Sequence, residues 1–143
     1  MKWRLLILVV VFLFLSFLSF LKFKQSRHFP NSYLFLEQVV DGDTLRANGI
    51  LIRLALIDAP ERGEKNFEKA KNFVESICPA GSQIKVDQDN LQPYDKYGRL
   101  VATVYCKGKN LNTELLKAGY ATLIKAFCNQ SEFSSTWAKE FGC

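Results

Sequence analysis

Carboxylate side chains that could bind a metal ion occur at a few defined places in the chain. Asp41 and Asp43 flank a glycine, Asp58 ends an apolar run, and Glu61 follows three residues later. Carboxylate oxygens are the hard ligands that Ca²⁺ prefers, and a further carboxylate can take a proton from a water molecule. The only histidine is His28, which excludes catalysis by a histidine base in the chain beyond it. The remaining chemistry is that of carboxylates, arginines, hydroxyl groups and a metal ion.

Two arginines could complete such a site. Arg53 begins the charged part of the apolar run, and Arg99 precedes a later apolar segment. Guanidinium groups form forked hydrogen bonds with phosphate oxygens and stabilise the charge that develops during phosphoryl transfer. Taken singly, each of these acids and arginines is more often a turn residue or a surface salt bridge. Taken together, they predict a phosphodiesterase site.

Short strands must position these residues. Apolar runs bounded by turn residues predict strands at 33–40, 44–47 and 50–57, with Asn48 and Gly49 forming a two-residue hairpin turn. A helix is predicted from Asn66 to the Pro79 turn, followed by strands at 83–86 and 99–106. A second helix, capped by Asn110 or Asn112, is predicted to end at Gly119, and a short terminal helix is predicted over 134–141. We therefore predict an α+β, mainly β fold that closes as a five-stranded Greek-key barrel of the OB type, with two to three helices.

The hairpin at Asn48 sets the expected register of the acids. Counting outward from it places position 43 opposite about position 54, and position 44 opposite position 53. Asp43 and Asp58 should thus lie on neighbouring strands without pairing directly. In an ideal strand Arg53 and Asp58 point to opposite faces. A twist or bulge is therefore expected between them.

Residues 1–27 are predicted to form a membrane anchor. The apolar span 3–23 would reach about 31 Å as a helix, against a hydrocarbon thickness of about 30 Å. It lacks a small-residue cleavage site, which favours an uncleaved anchor over a cleaved secretory signal. A linker at 28–33 and a domain at 34–143 follow, and the domain is expected to be monomeric and extracytoplasmic, or secreted if the segment is cleaved.

The charge of the chain resides in that first segment. The formal net charge is +5, and five of the 19 basic residues precede residue 28. The remaining 14 basic residues balance 14 acidic ones. Binding of a polyanion by the domain must therefore come from the local placement of charges rather than from a global field.

The four cysteines favour disulfides in an oxidising compartment. They form no CxxC pair, which makes a zinc site improbable. Cys78–Cys106 and Cys128–Cys143 are the favoured pairs because each closes a local unit, while four free thiols remain the alternative.

Three segments resemble the motifs of the staphylococcal (micrococcal) nuclease, or thermonuclease, family. They are Asp41-Gly42-Asp43-Thr44, the stretch from Arg53 to Glu61, and Asp95-Lys96-Tyr97-Gly98-Arg99. The resemblance covers roughly residues 34–122 with the motifs in the right order. It implies an OB-fold, Ca²⁺-dependent endonuclease that cleaves DNA and RNA with little sequence preference.

The resemblance also implies a role for each matching residue. Asp43 and Asp58 would bind Ca²⁺ through carboxylates and Ala59 through its carbonyl, with Asp41 behind them. Glu61 would act on the attacking water, and Arg53 and Arg99 would hold the phosphate. Lys96 and Tyr97 would contact substrate. The family's stacking tyrosines after the second helix have no counterpart, although Lys125 and Phe127 could replace part of that surface.

Two other functions remain open at this point. An OB-fold module could bind single-stranded nucleic acid without cleaving it, although the neutral charge of the domain weakens this reading. A purely structural extracytoplasmic domain would use the same charges as salt bridges. The filled set of acids and arginines favours the nuclease.

Overall fold

The computed structural model describes residues 32–143, together with Trp3, Ile7 and Phe12. The predicted anchor, apart from those three residues, and the linker up to residue 31 lie outside the described part of the chain. Within that described part, no helix is long and apolar enough to cross a membrane.

Residues 32–143 fold into short strands and two α-helices. The strands are β1 (Ser32–Val39), β2 (Thr44–Ala47), β3 (Ile50–Leu54), β4 (Ile57–Asp58), β5 (Gln83–Gln88), β6 (Leu100–Cys106), β7 (Lys109–Asn110) and β8 (Thr122–Leu123). The helices are α1 (Phe67–Ile77) and α2 (Leu111–Lys117), and the chain ends in 3-10 turns at Lys125–Gln130, Glu132–Ser135 and Trp137–Phe141.

Five strands close into a barrel. β1 pairs antiparallel with β2 and β5, β2 pairs with β3, and β5 pairs with β6. The ring closes where β3 and β6 pair in parallel. Alternate residues such as Leu34 and Leu36 of β1 fill the interior, while Tyr33 and Phe35 face outward. The predicted five-stranded closed barrel is confirmed, and its arrangement is consistent with an OB-fold.

The strand predicted at 50–57 is broken. β3 ends at Leu54, and the chain turns through Ala55 and Leu56 before β4 begins. Leu56 has φ 61°, a left-handed conformation that L-residues with bulky side chains rarely adopt. The sequence pattern did not predict this break because the run is apolar apart from Arg53, and an apolar pattern does not indicate a residue with positive φ.

The local turn and cap predictions are confirmed. Asn48 and Gly49 both have positive φ, as a type I′ hairpin requires. Of the two proposed caps, Asn110 begins α2, with its side-chain oxygen accepting a hydrogen bond from the backbone N–H of Thr113. The helix predicted near the C-terminus, over 134–141, is instead two 3-10 segments separated at Thr136.

Both disulfides have the predicted pairing. Cys78–Cys106 joins the residue after α1 to the end of β6, and Cys128–Cys143 closes the C-terminal 3-10 segments. Those segments also dock on the barrel, because the indole Nε1 of Trp137 donates a 2.9 Å hydrogen bond to the hydroxyl of Thr103 in β6.

Candidate active site

Arg53 joins two carboxylates at the end of β3. Its Nη1 lies 3.1 Å from Asp43 Oδ2, and its Nη2 lies 3.2 Å from Asp58 Oδ1. Nη1 also donates to the carbonyl of Leu54. The structure therefore brings together three residues that sequence reasoning assigned to one site, although 15 positions separate the two acids.

The backbone explains how Arg53 and Asp58 meet. Thr44 is the partner of Arg53 in the β2–β3 register, and the N–H of Leu54 donates to the carbonyl of Asp43. The expected register is thus confirmed. The turn at Leu56 then resets the alternation of side chains, so that Asp58 lies on the same side as Arg53. This turn is the irregularity that the sequence required.

The two carboxylates have different surroundings. Asp43 is buried, and its Oδ2 accepts a 2.7 Å hydrogen bond from the N–H of Ala59. Burial raises the pKa of Asp43 to about 7, against the opposing effects of the Arg53 charge and the Ala59 hydrogen bond. Asp41 adds negative charge nearby and accepts a hydrogen bond from the N–H of Asp43. Asp58, in contrast, is exposed.

The donor atoms are of the kind that suits a calcium ion. Asp43, Asp58 and the Ala59 carbonyl would supply oxygen ligands only, and water could complete the shell of 6–8 oxygens that Ca²⁺ takes. No group of three acidic, histidine or cysteine side chains is assembled as a metal cage in the residues 32–143 that the structure describes. The buried, incompletely compensated Asp43 fits an open site in which a cation favours the ionised carboxylate.

Arg99 is oriented by an acid from its own motif. Asp95 Oδ2 accepts a 2.6 Å hydrogen bond from Arg99 Nε, and Asp95 Oδ1 accepts from the backbone N–H groups of Tyr97 and Arg99. Burial works to raise the pKa of Asp95, but these hydrogen bonds and the Arg99 charge together lower it. Arg99 Nη1 also donates to the hydroxyl of Thr44, next to Asp43. The sequence alone predicts no role for Asp95, and the structure shows that it positions Arg99.

Tyr97 presents an exposed ring close to two cations. The Nζ of Lys96 lies 4.9 Å from the ring centroid, and the Cζ of Arg99 lies 5.4 Å from it. Contacts of this kind keep the ring and the charges together at one surface.

A groove of about 520 Å³ collects most of the predicted residues. Its lining includes Arg53, Asp58, Glu61, Lys96, Tyr97 and Arg99. The other three predicted residues, Asp41, Asp43 and Ala59, are not part of that lining. Of the two residues suggested as replacements for the stacking surface, Phe127 lines the groove, whereas the ammonium of Lys125 lies beside Gly142.

Among the residues of the C-terminal wall of this groove, the sequence predicted only Phe127. Ile124 and Ser131 line it, and Glu132 anchors it by accepting hydrogen bonds from the backbone N–H and side-chain amide of Asn90. Asp89 Oδ1 in turn accepts from the N–H of Glu132. Asn90 and Glu132 are 42 positions apart, and no local sequence pattern predicts a contact between them.

The chain is similar to several curated endonucleases. The SPbeta prophage-derived endonuclease YokF of Bacillus subtilis is 31% identical over 116 residues, which cover 73% of this chain and 38% of that protein. Endonuclease YncB of the same organism is 34% identical over 97 residues, covering 60% and 45%. An uncharacterized endonuclease of Haemophilus influenzae is 32% identical over 99 residues, covering 63% and 51%. The chain thus spans about two fifths to one half of the length of these relatives.

A model of one protein family matches the greater part of the chain. Its description is staphylococcal nuclease homologue, and the match runs over residues 51–139, which include Arg53, Asp58, Glu61 and Arg99. Asp43 lies before the matched range but contacts Arg53 directly. With the closed barrel and the convergence of these acids and arginines, the match shows that the chain belongs to the staphylococcal nuclease homologue family.

Proposed function

We propose that the protein is a Ca²⁺-dependent endonuclease that hydrolyses phosphodiester bonds of DNA and RNA with little sequence preference. The observation that carries the proposal is the Arg53 bridge between Asp43 and Asp58, in the same groove as Glu61 and Arg99. Family membership and the names of the relatives support the same reaction class.

Each side chain has a role that its position supports. Asp43, Asp58 and the Ala59 carbonyl would hold Ca²⁺, which when bound supplies positive charge beside the phosphate. Arg53 and Arg99 would bind non-bridging phosphate oxygens with forked hydrogen bonds. Glu61 would accept a proton from the attacking water.

Weak sequence preference follows from the chemistry of the groove. Lys96 and Arg99 offer charges to phosphates, and the exposed ring of Tyr97 offers a flat surface to a base or sugar. Phosphate contacts position a strand without reading its sequence, and stacking accepts every base.

For the cellular setting, we propose a monomeric domain that follows a linker and the anchor 1–27. Its barrel begins with β1 at Ser32, two residues before the predicted boundary at 34. The disulfides Cys78–Cys106 and Cys128–Cys143 support an oxidising, extracytoplasmic location, with secretion if the anchor is cleaved. Accessibility of the domain to protease added outside intact cells tests this: protection of the domain would contradict it.

The decisive experiment measures cleavage of single- and double-stranded substrates by the full chain in detergent micelles, with Ca²⁺ and with a chelator. Cleavage should require Ca²⁺, and Glu61→Gln should lower turnover by about 10²–10⁴. Glu68→Gln, which removes an exposed acid from the first turn of α1, is the matched control and should keep full activity.

Two results would refute the proposal. One is equal cleavage under chelation. The other is binding of nucleic acid without cleavage, which would indicate a binding module. A Ca²⁺-induced rise in melting temperature that Asp43→Asn abolishes would test the metal ligands independently of activity.

A further inference from the structure

A second groove lies on the outer face of the barrel, on β1, β5 and β6. Tyr33 of β1 is the register partner of Lys85 in β5, and Lys85 is the partner of Tyr105 in β6. The three side chains therefore form a row across the sheet. The groove has a volume of about 550 Å³, and Lys107 borders it beyond the end of β6. We refer to Tyr33, Lys85, Tyr105 and Lys107 as the aromatic–lysine groove.

The lining of this groove combines flat rings with positive charge. The Nζ of Lys85 lies 5.7 Å from the ring centroid of Tyr105, and Tyr33 is 66% exposed. The rest of the lining is Ser82, Gln83 and Gly108, so it contains no carboxylate. Although the domain is formally neutral, the aromatic–lysine groove is locally positive.

An acidic boundary separates the aromatic–lysine groove from the active-site side of the sheet. Asp87 is the next outward residue of β5 after Lys85, and its pKa is raised by burial and by the negative charge of Glu132. Asp87 also interacts electrostatically with Lys85 and Tyr105, so it marks the edge of the aromatic–lysine groove on the side of Glu132.

Rings interleaved with lysines in a concave surface are suited to single-stranded nucleic acid. Bases stack on the rings, and the ammonium groups neutralise phosphates. A membrane surface is the other polyanionic partner that such residues could meet. A flat bilayer favours protruding side chains, whereas these rings and lysines line a depression, so the geometry favours a strand.

We propose that the aromatic–lysine groove binds the substrate strand at a distance from the cleaved bond. This inference rests on the proposed nuclease function. Arg99 directly precedes β6, and Tyr105 lies in β6 six positions further along the chain. At about 3.3 Å per residue, this separation is about 20 Å. At about 3.4 Å per nucleotide, that distance corresponds to roughly six stacked nucleotides. It is a lower bound, because the C-terminal segments cover Val101 and Thr103 between the two grooves. Only substrates at least that long can occupy both grooves.

The test compares the full chain in detergent micelles with the variant Tyr33→Ala/Lys85→Ala/Lys107→Ala. For a 20-nucleotide DNA we expect kcat/KM to fall about tenfold, through KM, because base stacking is lost. For a four-nucleotide DNA, kcat/KM should not change. The control, Lys69→Ala/Lys139→Ala, removes two exposed lysines outside both grooves and should behave as wild type with both substrates.

A binding measurement gives a second readout that does not depend on cleavage. With a 20-nucleotide phosphorothioate-linked strand, the triple variant should raise Kd about tenfold or more. The slope of log K against log salt should become shallower by about 1.4, since each lysine–phosphate contact contributes about 0.7 for a single strand.

The outcomes separate this inference from the proposed function. Normal cleavage of both lengths by the triple variant, with unchanged Kd, would overturn the aromatic–lysine groove as a strand site and leave the nuclease intact. If the triple variant cleaved both lengths normally but no longer preferred anionic over neutral lipid nanodiscs, the groove would be assigned to a membrane surface. That result would also overturn the inference of a strand-binding site. Absence of cleavage by wild type with either length would refute the nuclease function instead.

Discussion

Arg53 contacts two acids that differ in their exposure to solvent. Asp43 is buried with a pKa raised to about 7, whereas Asp58 is exposed at the rim of the groove. A buried carboxylate is costly unless positive charge lies beside it, and Arg53 supplies that charge in the described structure. The same arginine is therefore expected to affect both stability and activity.

Arg53→Ala should destabilise the fold by roughly 1–3 kcal/mol, because it leaves Asp43 buried without its counter-charge. It should also lower kcat by about 10² or more through loss of a phosphate ligand. Thermal unfolding and steady-state kinetics check both effects. Arg46→Ala on the neighbouring strand is the control and should change neither by a comparable amount; equal effects would contradict the role of Arg53.

Asp95 should make a pH-dependent contribution to stability. Its folded-state pKa is lowered, so its contribution is fully present above the unfolded-state pKa of about 3.9 and is lost as pH falls through the folded-state value. Asp95→Asn should therefore cost about 1–2 kcal/mol of unfolding free energy at pH 7. The difference from wild type should disappear in strong acid, as urea titrations across pH would show.

Asp87→Asn is the control, because we expect it to change the free energy of unfolding in the opposite direction or not at all. The pKa of Asp87 is raised, so ionisation above the unfolded-state pKa costs stability, and the substitution should be neutral or stabilising at pH 7. If both variants had the same pH profile, the hydrogen bonds to Asp95 would not explain its effect.

At the scale of elements, two backbone features position the acids of the candidate active site. The turn at Leu56 brings Asp58 to the side of Arg53, and Gly42 lets the loop before β2 approach α1. A Cβ on Gly42 would lie 2.7 Å from the Cβ of Ala59 and 2.9 Å from the Cβ of Ala70. No normal contact is that short, so this glycine is required by space rather than by its dihedral angles.

Gly42→Ala should therefore cost about 1–3 kcal/mol of stability through overpacking. Because Asp41 and Asp43 flank the clash, activity should fall as well, even at temperatures where the variant is folded. Circular dichroism and kinetics below the melting transition measure the two effects. A variant with wild-type melting temperature and turnover would show that the loop adapts freely.

The Cys128–Cys143 disulfide should stabilise the C-terminal wall of the candidate active site. It closes a separation of 15 residues, worth about 3 kcal/mol by loop entropy, next to Phe127 in the groove lining. Cys128→Ser/Cys143→Ser should lower the melting temperature and raise KM for polynucleotide substrates.

The second disulfide provides the matched control for that prediction. Cys78→Ser/Cys106→Ser removes a buried cross-link that does not border the groove. It should lower the melting temperature while leaving KM near the wild-type value. Equal KM changes in both variants would show that global loosening, rather than the wall, is responsible.

At the scale of the whole molecule, the barrel closes within the described residues. β3 and β6 complete the ring, and both disulfides lie inside the same span. The segment from Phe29 onward should therefore fold in water without detergent. It should cleave substrates at a rate within about twofold of the full chain, as a side-by-side assay would test. A circular dichroism spectrum typical of an unfolded chain would contradict a self-contained domain at 34–143.

Local chemistry accounts for the parts that the sequence predicts well. Asn48 and Gly49 define a hairpin because both accept positive φ, and Asn110 caps α2 through one side-chain oxygen. The hairpin then determines that Thr44 faces Arg53, since antiparallel pairing counts outward from a two-residue turn. The same count places Asp43 beside Arg53 on the neighbouring strand.

Only the tertiary structure decided how those residues meet. The left-handed turn at Leu56 is stabilised by its surroundings and opposes the preference of leucine, so no local pattern predicts it. The Asn90–Glu132 contact and the row from Tyr33 to Tyr105 join segments that are distant in the sequence, so no local pattern predicts them either. Sequence determined the chemical groups and their order, because these depend on neighbours along the chain. Their distances depend on barrel closure, which is a property of the whole fold.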